Sequence, residues 1–427
     1  MSLAERLREI RTGFERPFWV ANSSEIFERL SYYAVFAALA RYLHEALQFP
    51  TAQAASLSGI FGGAVWVMAI FGGALADRIG FRRALSLAYF LLSCSYFLIG
   101  SIGASWLAPV RNAVPLGPMV GVILFLPAFG VALVKPSVVG TTARASRENV
   151  RSLGYSIYYT MVNIGSTLGP FLAGWVHQRM RVENVFRLAA LSVLLMFVAV
   201  LVFFKEPRGG GEPQASGIGQ VARNLFTVLR NLRFVVFLLI FSGYWIVFWQ
   251  QYLILPIYIH DYVDARANTE MILITDPLMV ITLTVAVNAL TRKIPSFRAI
   301  TLGTLVTAIA WLIIAARPSV LTAVLTLAAV ALGEIILSPR YYEYISRLAP
   351  AGQQGTYLGF AFLPIGIGSL IGGWFAGLLL HHFGEVQHQP QKIWWVVTAV
   401  GVATALLLWI YDRLVEPAKS EATRASA

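Results

Sequence analysis

Cysteine is nearly missing from this chain: Cys94 stands alone among 427 residues. No intrachain disulfide can form, and the redox compartment cannot be read from cysteine usage. Charge is scarce too, at 13% of residues against 57% hydrophobic, with a mean hydropathy of +0.68. An ordinary soluble chain carries about 25% charged residues, so this one is built for a less polar solvent. The six histidines have no ligand spacing. No metal cluster or glycine-rich phosphate loop stands out either, so no metal, no cofactor and no ATP drive are expected. Long apolar runs without alternation argue against a closed barrel, whose strands alternate apolar and polar residues. Helices remain, and the expectation is an all-α polytopic protein with the lipid bilayer as its first partner.

Acids are outnumbered, 21 to 33, which leaves a formal charge of +12. Such an excess suits nucleic acid where it forms a patch. Here the basic residues sit in short segments between apolar runs, where they set topology instead. The hydropathy pattern predicts about twelve spans of roughly 20 residues, centred near residues 30, 63, 95, 127, 165, 195, 246, 281, 307, 330, 368 and 402. Alternate segments, namely the N-terminus, 77–83, 144–151, 205–233, 292–298, 346–354 and the tail, hold about 22 of the 33 Lys and Arg. Both termini are therefore expected in the cytoplasm; Arg179 and Arg181 fall on the other side. The basic N-terminal stretch runs into a helix too long and too charged for a cleaved signal peptide.

The organisation expected is a cytoplasmic segment over 1–17, a first six-helix bundle over 18–204, a linker over 205–233, a second bundle over 234–413 and a tail over 414–427. Glu206-Pro207-Arg208-Gly209-Gly210-Gly211-Glu212-Pro213 opens the linker with helix breakers, and Ile218 to Leu232 can form a surface helix. Internal similarity supports the division. Gly130 and Pro136 have counterparts 203 residues later in Gly333 and Pro339, and Gly165-Ser166, Gly169 and Ala173-Gly174 recur as Gly368-Ser369, Gly372 and Ala376-Gly377. Two parallel six-helix halves would leave that shared offset; chance recurrence of small residues in close-packed helices is the alternative.

Within the first span lies Asn22-Ser23-Ser24-Glu25-Ile26-Phe27-Glu28-Arg29-Leu30-Ser31-Tyr32-Tyr33. Each charge there costs about 2.5–3.5 kcal/mol at a helix centre, so the cluster must face protein or water. Glu25 is three residues before Glu28 and four before Arg29, so Glu25 shares a helical face with both and can pair with the arginine. Two carboxylates against one guanidinium leave an acid free to take up and release a proton. Lys135, deep in the fourth span after Gly130 and before Pro136, needs a partner there, and Glu25 or Glu28 is the natural one. Protonating one acid would then weaken its hold on the ammonium. The alternative is a Lys135 that snorkels toward Arg144.

Between the second and third spans stands Gly72-Gly73-Ala74-Leu75-Ala76-Asp77-Arg78-Ile79-Gly80-Phe81-Arg82-Arg83. Its glycines permit a tight turn, Asp77 can face a helix N-terminus, and the arginines can satisfy carbonyls at helix C-termini. A simple positive-inside loop is the plain alternative. The pattern resembles the inner-loop motif of the major facilitator superfamily, and a degraded copy spans 289–299. The resemblance implies a gating latch made by Gly73, Asp77, Arg78, Gly80, Arg82 and Arg83.

Further motifs narrow the likeness. Glu25-x-x-Glu28-Arg29-Leu30-Ser31-Tyr32-Tyr33 resembles the ExxER signature of the proton-coupled oligopeptide transporter family. Gly130 to Pro136 is similar to its fourth-helix lysine motif, Tyr158 to Ser166 to its fifth-helix signature, and Gly333-Glu334 with Ser338-Pro339, Leu348 to Pro350 and Gly355 to its tenth-helix region. That resemblance implies a major facilitator fold and import of di- and tripeptides by alternating access around a central cavity, driven by protons. It also implies roles: Glu25, Glu28 and Arg29 handle the proton, Lys135 couples it to a peptide carboxylate, Glu334 receives a peptide amino group, and Tyr32, Tyr33 and Asn163 line the cavity. Glu334 also stands out without the family, as a mid-span acid with no cation within four residues. A carboxylic acid held protonated in the bundle is its alternative reading.

Departures matter as well. Phe36 stands seven residues beyond Arg29, where many family members have a second arginine. In Trp245-Ile246-Val247-Phe248-Trp249-Gln250, Trp249 occupies the place of the usual acid. Asp276-Pro277 replaces Asn-Pro, so Asp276 can restore an acid to the second half. Arg340 and the Tyr341-Tyr342 pair replace small apolar residues, and the extra helix pair between the halves is missing. Trp66, Tyr155, Tyr244, Trp245 and Trp374 are candidate pocket aromatics or lipid-facing anchors. The expectation is a monomeric inner-membrane transporter that uses protons and a small-molecule substrate, a peptide or a related amino- and carboxyl-bearing solute. Proton-coupled efflux of an amphipathic solute is the rival reading. An embedded enzyme is weaker, since no nucleophile and base accompany the acids.

Overall fold

Twelve helices of 17 or more residues account for most of the described chain. In the computed structural model these are α1 (Arg16–Arg41), α2 (Thr51–Ile79), α3 (Phe81–Ile99), α4 (Leu116–Arg144), α5 (Arg151–His177) and α6 (Glu183–Phe203). The second series is α7 (Leu232–Phe248), α8 (Thr275–Thr291), α9 (Ser296–Ala316), α10 (Val320–Leu348), α11 (Leu363–Leu379) and α12 (Lys392–Ala425). The structure describes residues 13–207, 223, 226, 228–349, 357 and 359–425, without the side chains at 70, 73, 74, 77, 149, 151, 152, 156 and from 415 on. Gly355, most of the N-terminal segment and residues 218–222, 224, 225 and 227 of the expected surface helix therefore lie outside the described residues, while 223, 226 and 228–230 are helical.

Among the described residues, 9 helices are long and apolar enough to cross a membrane by length and composition. The three long helices below that threshold are α1, α3 and α5. The first carries Glu25, Glu28 and Arg29, the second begins Phe81-Arg82-Arg83, and the third is rich in Tyr, Ser and Gly. Polar helices of this kind are tolerated where neighbours shield them, and α1 packs against α5 and α6.

Contacts divide the chain into two units, Met1–Gln48 with Ala64–Ala222, and Phe49–Gly63 with Arg223–Ala427. The early part of α2 thus belongs with the second unit. It packs there on α11, where a Cβ on Gly59 would stand 2.6 Å from the Gly373 Cα. Within each unit the same neighbours recur. The first pairs α3 with α4 and α6, and α1 with α5 and α6; the second pairs α9 with α10 and α12, and α7 with α11 and α12.

The 203-residue offset marks equivalent contacts. A Cβ on Gly130 would meet Leu92 of α3 at 2.5 Å, and one on Gly333 would meet the Gly303 carbonyl of α9 at 2.7 Å. Gly165 brings α5 within 2.6 Å of Arg29 Cβ on α1 by the same measure, while Gly368 sets α11 against Trp245 of α7. Small residues at these four places let helix backbones approach. Pro127 and Pro136 lie inside α4, Pro170 inside α5 and Pro339 inside α10.

The chain enters α1 through a strap. Glu15 N donates to Ala145 O at 2.9 Å, Arg147 N donates to Gly13 O at 3.0 Å, and Phe14 and Phe18 pack with Ala145 and Val150. This fixes the start of α1 against the turn between α4 and α5.

Candidate functional site

A helix with three ionisable groups in one and a half turns must bury them against polar partners, and α1 does so. Glu25 and Glu28 are fully buried and Arg29 is 1% exposed. Arg29 grips Glu28 with both ends of its fork: Nε donates to Oε2, and Nη2 donates to Oε1 at 2.6 Å. A bidentate guanidinium–carboxylate pair is among the strongest that side chains make. Glu25 is treated differently. Arg29 Nε stands 3.5 Å from its Oε1, and neither carboxylate oxygen has a hydrogen bond of ordinary geometry. Lys135 of α4 and the Tyr158 hydroxyl of α5 are within interaction range of it.

Lys135 is half-buried and turned onto an aromatic ring. Its Nζ lies 3.9 Å above the ring centre of Trp66, a buried residue of α2. That contact is a cation–π interaction worth about 2 kcal/mol when desolvated. Arg29 also lies 5.1 Å from the ring centre of Tyr32. Counted together, Glu25, Glu28, Arg29 and Lys135 hold two negative and two positive charges when all are ionised. Around them Tyr89 donates to Ser24 Oγ at 2.8 Å, Ser24 donates to Ala21 O at 2.8 Å, and Asn22 Nδ2 reaches Thr142 Oγ1 at 3.2 Å. Tyr32 is buried and Tyr33 half-buried, their rings edge to face at 5.2 Å. Asn163 is half-buried, its amide donating to Tyr159 O at 2.8 Å.

A second group of acids lies in the other unit. Asp276, in the first turn of α8, is 5% exposed, and Gln251 Nε2 approaches its Oδ2 at 3.5 Å. Glu334, half-buried on α10 beside Gly333, is within electrostatic reach of Asp276, and both act on the buried Tyr244 of α7. Trp245 is half-buried, its ring edge to face with Tyr244 at 5.2 Å. Trp249, in the place of the usual acid, is a packing residue whose Nε1 donates to Ile365 O at 3.1 Å. Phe36 likewise packs against Tyr32.

The remaining candidates separate. Gly80 takes a φ of +86° between α2 and α3, a conformation glycine adopts without cost. Arg82 Nη2 donates to Leu201 O at 2.7 Å near the end of α6, and Arg78 and Arg83 are exposed. The side chains of Gly73 and Asp77 lie outside the described residues. Tyr155 is 39% exposed and Trp374 is 61% exposed, and Arg340 pairs with Glu343 at 3.0 Å.

Three partners carry no signal in the sequence. Trp66, Gln251 and Glu206 meet their targets only in the fold, although Trp66 stood among the candidate aromatics. Glu206 caps α3, its carboxylate accepting from Phe81 N at 2.8 Å and Arg82 N at 3.0 Å.

Known proteins fit this architecture. A crystal structure of a POT family transporter in complex with a thioalcohol-conjugated peptide superposes with a TM-score of 0.78 over 93% of this chain and 96% of that one, at 18% identity. Another, in complex with 5-aminolevulinic acid, gives 0.76 over 93% and 96%, also at 18% identity. Likeness at that identity speaks for the fold. Among curated proteins, Multidrug resistance protein MdtH of Klebsiella pneumoniae subsp. pneumoniae is 24% identical over 351 residues, 80% of this chain and 81% of that one. MdtH of Escherichia coli O1:K1 / APEC is 24% identical over 353 residues, covering 81% and 82%. The Major Facilitator Superfamily profile matches residues 23–363 and 277–427, and this multi-pass membrane protein belongs to that superfamily.

Proposed function

We propose that this chain is a proton-coupled secondary transporter of the cell (inner) membrane, monomeric and with both termini cytoplasmic. It imports small peptides, or a related solute bearing amino and carboxyl groups, by alternating access. One observation carries the reading: three buried charges with the half-buried Lys135 beside them, in which Glu28 is committed to Arg29 while neither Glu25 oxygen has a hydrogen-bond partner. Glu25 is the acid that exchanges a proton. When it is protonated, the attraction it exerts on Lys135 is lost, and the ammonium is free to take a carboxylate of the solute. Trp66 holds Lys135 in the meantime, its ring face attracting the ammonium. Glu334 and Asp276 receive the amino group; Tyr32, Tyr33, Asn163 and Trp245 supply polar and aromatic contacts. The loop with Gly73, Asp77, Arg78, Gly80, Arg82 and Arg83 serves as the gating latch.

Uptake of dipeptides into proteoliposomes under an inward proton gradient tests this. Accumulation that needs both the gradient and Glu25 is expected. Gradient-independent uptake, or none, would remove the reading.

A second reading has its own support. The curated relatives are named for multidrug resistance, and Phe36 and Trp249 replace charges with apolar packing. Proton-driven efflux of an amphipathic solute would show as resistance and lower accumulation in expressing cells, whereas import raises accumulation.

A further inference from the structure

We propose that Asp276 and Gln251 form a second proton-binding site, an acid–amide pair in the unit that lacks the Glu25 cluster. Gln251 Nε2 approaches Asp276 Oδ2 at 3.5 Å. The two oxygens left over, Asp276 Oδ1 and Gln251 Oε1, are both shut off from solvent and both lack a hydrogen-bond partner. Gln251 is fully buried and Asp276 is 5% exposed. Two buried acceptors with no donor, one on each member of the pair, are costly in a dry interior, about 1–3 kcal/mol for each unsatisfied group.

One proton removes the defect. Placed on Asp276 Oδ1, it makes an O–H donor for Gln251 Oε1 while Nε2–H still donates to Oδ2, closing a cyclic acid–amide dimer. If the amide is turned over, the proton sits on Oδ2 and donates to the same Oε1; the count is unchanged. No bond other than O–H and its hydrogen bond forms or breaks.

The neighbours make the site more than a neutralised core acid. Helix α8 packs on α10 and on the short helix Thr269–Leu273. Glu334 of α10 and Tyr244 of α7 are the titratable groups in electrostatic relation with Asp276. Glu270 on the short helix is buried and accepts from Thr269 Oγ1 at 3.3 Å. A proton on Asp276 lifts the repulsion on Glu334, so that Glu334 can ionise when an ammonium group arrives to pair with it. Release of that ammonium and loss of the Asp276 proton are then coupled within one unit, apart from Glu25. The coupling rests on the proton-driven reading above; the proton site itself does not.

Infrared difference spectroscopy of the full chain in nanodiscs, stepped between acidic and alkaline buffer without solute, reads carboxylic acids directly. A protonated-carboxyl band that grows at acidic pH, is absent in Asp276→Asn and persists in Glu334→Gln is expected. In Gln251→Leu the band should remain but shift to higher frequency, as the hydrogen bond is lost. A difference spectrum unchanged in Asp276→Asn, or a band that disappears in Glu334→Gln instead, overturns the proposal. If Asp276→Asn fails to fold, an unshifted band in Gln251→Leu overturns it alone. The titrating band without gradient-driven uptake would reject the transport reading and keep the site. If both stand, Asp276→Asn should halve the protons taken up per solute, and an unchanged ratio overturns the proposed role in coupling.

Discussion

In the first unit the buried acids arrive with their own cations: Arg29 grips Glu28 through two hydrogen bonds, and Lys135 waits over Trp66 within reach of Glu25. In the second unit Asp276 meets an amide, and Glu334 has an acid for its electrostatic neighbour. The fold repeats, down to glycines at the same offset that bring the same helix pairs together, but the electrostatics do not. A charge-compensated cluster is stable when empty, because each charge is answered from within. An uncompensated pair of acids must be neutralised by something that arrives, a proton or the amino group of a solute. On the proposed transport reading, the duplicated frame holds a switch in one half and a receptor in the other.

That contrast breaks most sharply at Arg29. Arg29→Met strands Glu28 in a dry interior, and breaking a buried pair on one side costs about 3–5 kcal/mol. Glu334→Gln, which removes an acid that no described cation holds, should leave stability unchanged or raise it. Thermal unfolding of the two purified variants should therefore diverge in sign. Equal losses in both would erase the distinction. A smaller effect sharpens the repeat. Gly165→Leu and Gly368→Leu each overpack a helix pair, α1 with α5 or α7 with α11, at about 1–3 kcal/mol, and similar losses are expected because the contacts are equivalent. Trp66→Leu should cost about 2 kcal/mol of stability or more and weaken carboxylate-bearing solutes more than their amides in competition uptake. The least is expected of Glu206→Ala, which leaves the start of α3 uncapped for about 1 kcal/mol, seen as a modest lowering of the unfolding temperature with transport retained.

Much of this was legible in the chain, for local reasons. Helix positions follow from runs of about 20 apolar residues, and the Glu25–Glu28–Arg29 face follows from helical periodicity alone. The three helices that fall below the crossing threshold include the polar α1 and α5, and the same Ser, Tyr, Asn and charged residues mark them as site-bearing in the sequence. The bidentate choice of Glu28 over Glu25 was not legible, since both are one turn or less from Arg29 and only side-chain packing decides. Nor were Trp66 under Lys135, Gln251 beside Asp276 or Glu206 on the α3 terminus. Their separations in sequence are 69, 25 and 125 residues, and no periodicity reaches that far. The placement of 49–63 with the second unit is of the same kind: it depends on Gly59 meeting Gly373, a contact between helices that a span-by-span reading keeps apart.

The account stands most directly on Glu25 as the acid that exchanges the proton while Glu28 stays bound to Arg29. Proton entry during solute uptake, followed with a pH-sensitive dye sealed inside proteoliposomes, separates the two. Glu25→Gln should fold as the wild type does and lose about half or more of the solute-dependent acidification, while solute exchange across the membrane without a gradient persists. Solute-dependent acidification in Glu25→Gln at the wild-type rate would contradict it.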